Sequence, residues 1–156
     1  MKSEFQGKYL RLIGICLIFF LASFRMNQGK ITSEQGIRLS VTGLRNNDGH
    51  VLVCLFREGE GFPDEVEKAF RREKMSISQK TSGILFKDVP GGNYAIAILH
   101  DENDDQKMNK NFFGLPKEGY GFSNNVMGTF GPPSYSRAKF AHSPGGITGV
   151  SIEARY

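Results

Sequence analysis

The sequence predicts an all-β fold, a two-sheet antiparallel sandwich of Ig-like or transthyretin-like type. Three observations point there. Short apolar runs either alternate with polar residues or are apolar on both faces. Glycine-, proline- and asparagine-rich turn signals separate most of these runs. Only one short stretch has a helical pattern, against about seven strands, the number an Ig-like sandwich uses.

Taken in order, Ile37, Leu39 and Val41 alternate with Arg38, Ser40 and Thr42, the pattern of a half-buried strand. Asn46-Asn47-Asp48-Gly49 is a hairpin-turn signal, and residues 50–57 (HVLVCLFR) are apolar on both faces. The first two strands are therefore expected to pair as a hairpin. Residues 64–74 (DEVEKAFRREK) read as the helix. Asp64 can cap it, with Glu67 completing a capping box, and Arg71, Arg72 and Lys74 suit its last turn. Its apolar stripe, Val66, Ala69 and Phe70, is narrow and must dock on a sheet. Three more strands are expected over 75–80, 84–89 and 94–100, the last two introduced by Thr81-Ser82-Gly83 and Pro90-Gly91-Gly92-Asn93. Residues 137–142 and 149–156 supply the remainder, split by Ser143-Pro144-Gly145-Gly146.

Residues 1–29 read as a signal segment and residues 30–156 as one β-sandwich domain. Lys2, Lys8 and Arg11 precede the apolar run Leu12–Phe24, which has the length of a signal-peptide core and is short for a membrane span. Ser23 or Gly29 could stand before the cut, though neither has the ideal small residue two places earlier. Left uncleaved, the run would be an N-terminal anchor. Cys16 raises a lipid anchor, but it lies inside the apolar run after Ile15. An exported chain, periplasmic or secreted, is the expectation, touching the membrane only through this segment.

The formal charge of +4 comes mostly from Lys2, Lys8, Arg11 and Arg25 against Glu4, so the rest is near neutral. No cluster of basic residues with interleaved aromatics supports a nucleic-acid partner. Beyond the signal segment Cys54 is alone, which rules out an internal disulfide. It lies in an apolar run and is expected to be buried and inert.

The stretch from His100 to Tyr135 has neither helical nor strand periodicity. A connection of this length is normally functional or disordered, and its aromatics argue against disorder. Strands 50–57 and 94–100 need a cover on their outer face, because a sandwich sheet normally turns one face to water. The helix with Phe70 and the aromatics of 112–135 are the candidates.

The same region carries a resemblance. YA-x-A-x-x-HDEN (Tyr94–Asn103), Lys107-Met108-Asn109, Gly114-x-Pro116-x-Glu118-Gly119-Tyr120-Gly121-Phe122-Ser123-Asn124 and Phe130-Gly131-Pro132-Pro133 are long, specific pieces. With Pro90-Gly91-Gly92-Asn93-Tyr94 upstream and the closing Tyr156, residues 36–156 resemble the bacterial family called domain of unknown function 2141. The resemblance implies an exported β-sandwich and brings no activity with it. Gln106 departs from the pattern, which tends to have glycine there.

Three constellations could carry chemistry. Asp101, Asn103, Asp105, Lys107 and Asn109 recur at alternate positions, as in an EF-hand-type loop that supplies acid, amide and carbonyl oxygens to calcium. Gln106 stands where such loops need glycine, and Phe112 where they need a bidentate glutamate; Asn111 or Glu118 could substitute. The other reading is a polar loop closed by Asx-turns. Calcium, if bound, would bind weakly, at roughly 0.1–1 mM. Second, His100 with Asp101 and Glu102, or with His142, offers metal-hydrolase chemistry, but neither an H-E-x-x-H nor a G-x-S-x-G motif is present. Third, Tyr120 and Phe122 share a face if that run is extended. With His100 and Glu118 they form the expected ligand-binding set.

The sequence favours a non-enzymatic binding or structural module over a catalyst. Its partner would be a surface glycan or protein. The alternatives are the hydrolase on His100, Asp101 and Glu102, and an architectural envelope protein.

Overall fold

The computed structural model describes residues 34–156, so the signal segment proposed for 1–29 lies outside the described residues. Eight strands follow in order: β1 (Gly36–Thr42), β2 (His50–Arg57), β3 (Arg71–Met75), β4 (Ser82–Lys87), β5 (Gly92–Asp101), β6 (Gly119–Phe122), β7 (Phe140–His142) and β8 (Ile147–Glu153). A single helical turn, α1, spans Tyr135–Ala138. One sheet has the order β4-β1-β8 and the other β3-β2-β5-β6, with β7 also on β5. Pairing is antiparallel except between β1 and β8, which run parallel. The fold is the expected two-sheet sandwich.

The period-two reading places the core correctly. Ile37, Leu39 and Val41 of β1 and Val51, Val53 and Leu55 of β2 are buried in one cluster with Ile96, Ile98 and Ile152. Each such side chain contributes roughly 1.5–3 kcal/mol when taken fully out of water.

The first two strands do not form a hairpin. β1 lies between β4 and β8, while β2 lies between β3 and β5 in the other sheet. Residues 43–49 arch from one sheet to the other, and Leu44 is buried on the way. The turn chemistry is local at Asn46, whose Oδ1 accepts the Asp48 N–H, and long-range at Asn47, whose Oδ1 accepts the Lys80 N–H of the β3–β4 turn.

The helix over 64–74 is also absent. Only a 3₁₀ turn forms at Val66–Lys68, with no side-chain cap, and residues 71–75 become strand β3 on the open edge of β2. The apolar stripe was too narrow to hold a helix against the sheet, whereas pairing with β2 satisfies the backbone. The charges read as a helix's last turn now protect a sheet edge. The strand expected over 75–80 is consequently a turn, bridged between Ser78 and Thr81.

Strand β6 lies inside the long segment, beside β5. Gly119 and Gly121 obscure its alternation in the sequence, leaving Tyr120 and Phe122 as its only marks.

Candidate functional site

The outer face of the five-stranded sheet carries a groove of about 690 Å³. Strand register builds its floor in two rows. Lys74, Leu52, Leu99 and Tyr120 face one another across β3, β2, β5 and β6, and so do Arg72, Cys54, Ala97 and Phe122. Each row begins with a cation and ends with an aromatic ring. Tyr120 and Phe122 share a face as expected, their rings 6.0 Å apart.

The expected cover is only partly there. Phe70 packs beside Tyr94 against the core. Phe112, Phe113 and Phe130 point into solvent. The cover comes instead from Phe62, whose ring meets Phe56, Phe122 and Tyr135 at 5.5–6.0 Å. It closes one end of the sheet face, and Pro63, Asp64 and Val66 continue as that wall of the groove. Gln106 and Met108 form the opposite wall. Cys54 is half-buried on the floor, not sealed in the core. Burial pushes its thiol above the usual range, against a smaller opposing pull from Arg72. That keeps the nucleophilic thiolate scarce.

The loop that supplies Gln106 and Met108 is closed by its own polar groups. Asp101 is fully buried, and its two oxygens accept the N–H groups of Asp105 (3.1 Å) and Gln106 (2.9 Å). Asn103 Oδ1 accepts the Asp105 N–H, and Asp105 Oδ1 the Lys107 N–H, which are Asx-turns. Asp105 Oδ2 takes the side-chain amides of Asn103 and Asn109. Asn109, first, and the Lys107 N–H hold the Asp105 carboxyl below its usual range. Gln106 takes φ +61°, the left-handed conformation for which loops of this kind normally use glycine. Glu118 is buried too, accepting the Glu102 N–H (3.1 Å) and the Asn109 N–H (2.9 Å). Asp101 and Glu118 thus accept backbone donors, and Asp105 accepts one backbone donor and two side-chain amides.

The remaining candidates anchor the loop from behind. Arg45 grips Glu102 through Nε at 2.7 Å and through Nη2, and Asn46 adds 2.8 Å. The Arg45 contact, with Asn46 helping, holds the Glu102 carboxyl below its usual range. His100 is fully buried: Tyr156 Oη lies 2.6 Å from Nδ1, and the Asp48 carbonyl 2.9 Å from Nε2. The carbonyl can only accept, so Nε2 carries the proton and Nδ1 accepts from Tyr156. Both ring nitrogens are then occupied. His142 pairs opposite Gly92, at the far end of β5 from His100, roughly 26 Å away at about 3.3 Å per residue. Among the described residues no three histidine, cysteine, aspartate or glutamate side chains are arranged to hold a metal ion.

Tyr120 and Phe122 therefore meet in the groove, while His100, Glu118 and the 101–109 set build the wall behind it. Sequence reasoning missed Arg72, Lys74, Leu52 and Leu99. A strand assignment for 71–75 would have exposed them, since register alone sets Arg72 beside Cys54 and Lys74 beside Leu52.

Fold and site together define a β-sandwich with a ligand-sized groove on one outer face. The chain belongs to the bacterial family described as an uncharacterized protein conserved in bacteria, domain of unknown function 2141, whose sequence model matches residues 39–148. No curated protein and no solved structure matches the chain.

Proposed function

We propose that this chain is an exported binding module that holds a small amphipathic ligand, apolar in body and acidic at one end, in the groove of the five-stranded sheet. The observation that carries this reading is the pair of cross-strand rows, each running from cation through apolar floor to aromatic. Lys74 is shared with Asp104 at 3.1 Å, whereas Arg72 makes no ion pair among the described residues. An acidic group seated at Arg72 would leave the ligand's apolar body over Cys54, Ala97 and Phe122. The volume suits such a ligand, since small-molecule pockets run to about 300–1,000 Å³. A binding role fits better than catalysis because the thiol on the floor is held protonated and His100 is spent on structure. Export rests on the Leu12–Phe24 run.

The test is calorimetry with dodecanoate and with an acidic peptide as probes. Binding of at least one is expected. Arg72→Ala should weaken it about tenfold, equivalent to about 1.4 kcal/mol. Leu52→Glu, which sets a carboxylate on a half-exposed part of the floor, should abolish it. Binding that survives Leu52→Glu unchanged, or no binding of either probe, would remove the groove as the site.

A further inference from the structure

We infer that the tip of the β5–β6 connection is a membrane-docking wedge for a leaflet rich in anionic lipid. Phe112 is 98% exposed and Phe113 83%, and Leu115 beside them is also exposed. The two phenyl rings meet edge to face at 5.6 Å, so they form one apolar prow. The prow is held rigidly. Asn111 N–H donates to the Leu115 carbonyl at 2.8 Å, and Asn111 Oδ1 accepts from Phe113 at 2.9 Å and Leu115 at 3.0 Å. The two arms below are tied by the Lys110–Pro116 bridge and by Lys117 N–H on the Asn109 carbonyl at 2.9 Å. Exposed apolar side chains on a self-satisfied turn have no role in the protein's own core.

Charge selects the occupant. From Gln106 to Lys117 the chain carries Lys107, Lys110 and Lys117 and no acid. None of these lysines makes an ion pair among the described residues, and all are exposed. Lys110 and Lys117 flank the turn at its base. A bilayer interface accepts aromatic and leucine side chains about 5–10 Å deep, at which depth basic groups behind them meet the headgroups. Anionic headgroups strengthen this through each nearby lysine. Phe112, Phe113, Leu115, Lys110 and Lys117 do not line the groove, and the wedge does not depend on the groove's ligand.

The protein contains no tryptophan, so Phe113→Trp installs a single reporter at the tip. The full chain with this substitution is mixed with vesicles of phosphatidylglycerol and phosphatidylethanolamine, and separately with phosphatidylcholine alone. The expected result is a blue shift and brightening of emission on the anionic vesicles, weakened about tenfold in affinity by Lys110→Gln with Lys117→Gln. Attachment through Leu12–Phe24 does not require Lys110 or Lys117, so the loss on changing those two lysines reports the wedge. A Phe112→Ser, Phe113→Ser chain, with circular dichroism confirming its fold, should lose the excess of its co-flotation with anionic vesicles over that with phosphatidylcholine. Unchanged emission on anionic vesicles overturns the inference. So does an equal response to phosphatidylcholine, or a shift that appears without lipid as protein concentration rises, which would identify a second copy of the chain as the occupant.

Discussion

Ser123 joins two pieces of sheet that do not meet. On the outer edge of β5, β6 ends with Phe122 opposite Ala97 and β7 begins with Phe140 opposite Tyr94. Ala95 and Ile96 lie in the gap. Ser123 Oγ fills it, accepting the Ile96 N–H at 2.9 Å and donating to the Ala138 carbonyl at 2.7 Å, with the side chain fully buried. One hydroxyl thus replaces a stretch of missing strand. Ser123→Ala leaves a buried N–H and a buried carbonyl unpaired, so urea unfolding should show a loss of about 1–3 kcal/mol. A loss below about 0.5 kcal/mol, the level of ordinary surface changes, would mean that other partners take over. No reading of the sequence could find this role, because both partners are distant and the serine sits in a polar run that looks like a plain loop. His100, expected in a ligand-binding set, is buried and bonded to the Asp48 carbonyl in the arch between the sheets, a partner that no local pattern announces.

At the scale of elements, the loop 101–111 offered two readings, a weak calcium site and a polar loop closed by Asx-turns, and Gln106 adopts positive φ although it is not glycine. What the sequence left open was where the oxygens point, since an acid-amide alternation serves a cation and an Asx-turn equally well. The hydrogen bonds to Asp105, Gln106, Glu102 and Asn109 N–H groups give the loop a closure of its own. Its outer tie is the Arg45–Glu102 pair, whose carboxylate is only 15% exposed. Glu102 has a lowered folded pKa, so its contribution is fully present above its ordinary value of 4.5 and is lost as pH falls through the lowered one. Arg45→Ala should therefore cost about 1 kcal/mol near neutrality, a figure kept small because Arg45 is half exposed. That difference should shrink as urea unfolding is repeated at pH values falling below 4.5. Adding about 5 mM calcium, above the affinity range of weak extracellular sites, should leave the midpoint where it is. A midpoint that rises with calcium would show that the loop closes on a cation, and a pH-independent difference would show that the Arg45 effect does not pass through the Glu102 carboxylate.

For the whole molecule, the two sheets were legible and their connection was not. Alternation identified which residues face inward, but pairing is set by competition among strands, and that lies beyond any local signal. β1 and β8, the first and last strands, run side by side in parallel, which no turn between neighbours could announce. The C-terminus then closes the sandwich. Ala154 N–H donates to Thr42 in the first sheet at 2.9 Å, while Arg155 and Tyr120 exchange two backbone hydrogen bonds at 2.8 Å, reaching β6 in the second. Tyr156 completes the seam, its hydroxyl accepting the Arg45 N–H and donating to His100 while the Arg45 guanidinium lies 4.5 Å over its ring. A Cβ at Gly119 would lie 2.5 Å from that ring, so the glycine that hid β6 from sequence reading is also what admits the tyrosine. Tyr156→Phe removes only the hydroxyl contacts and should cost about 1–2 kcal/mol. A chain ending at Glu153 loses the hydroxyl, the ring and the inter-sheet backbone bonds together, and should cost roughly 3–5 kcal/mol. Because Tyr120 is both the residue bridged by Arg155 and the end of one groove row, the shortened chain should also lose groove binding while it is still folded at low temperature. If truncation costs no more than Tyr156→Phe, the seam is ornamental, and the sheets are held by their core alone.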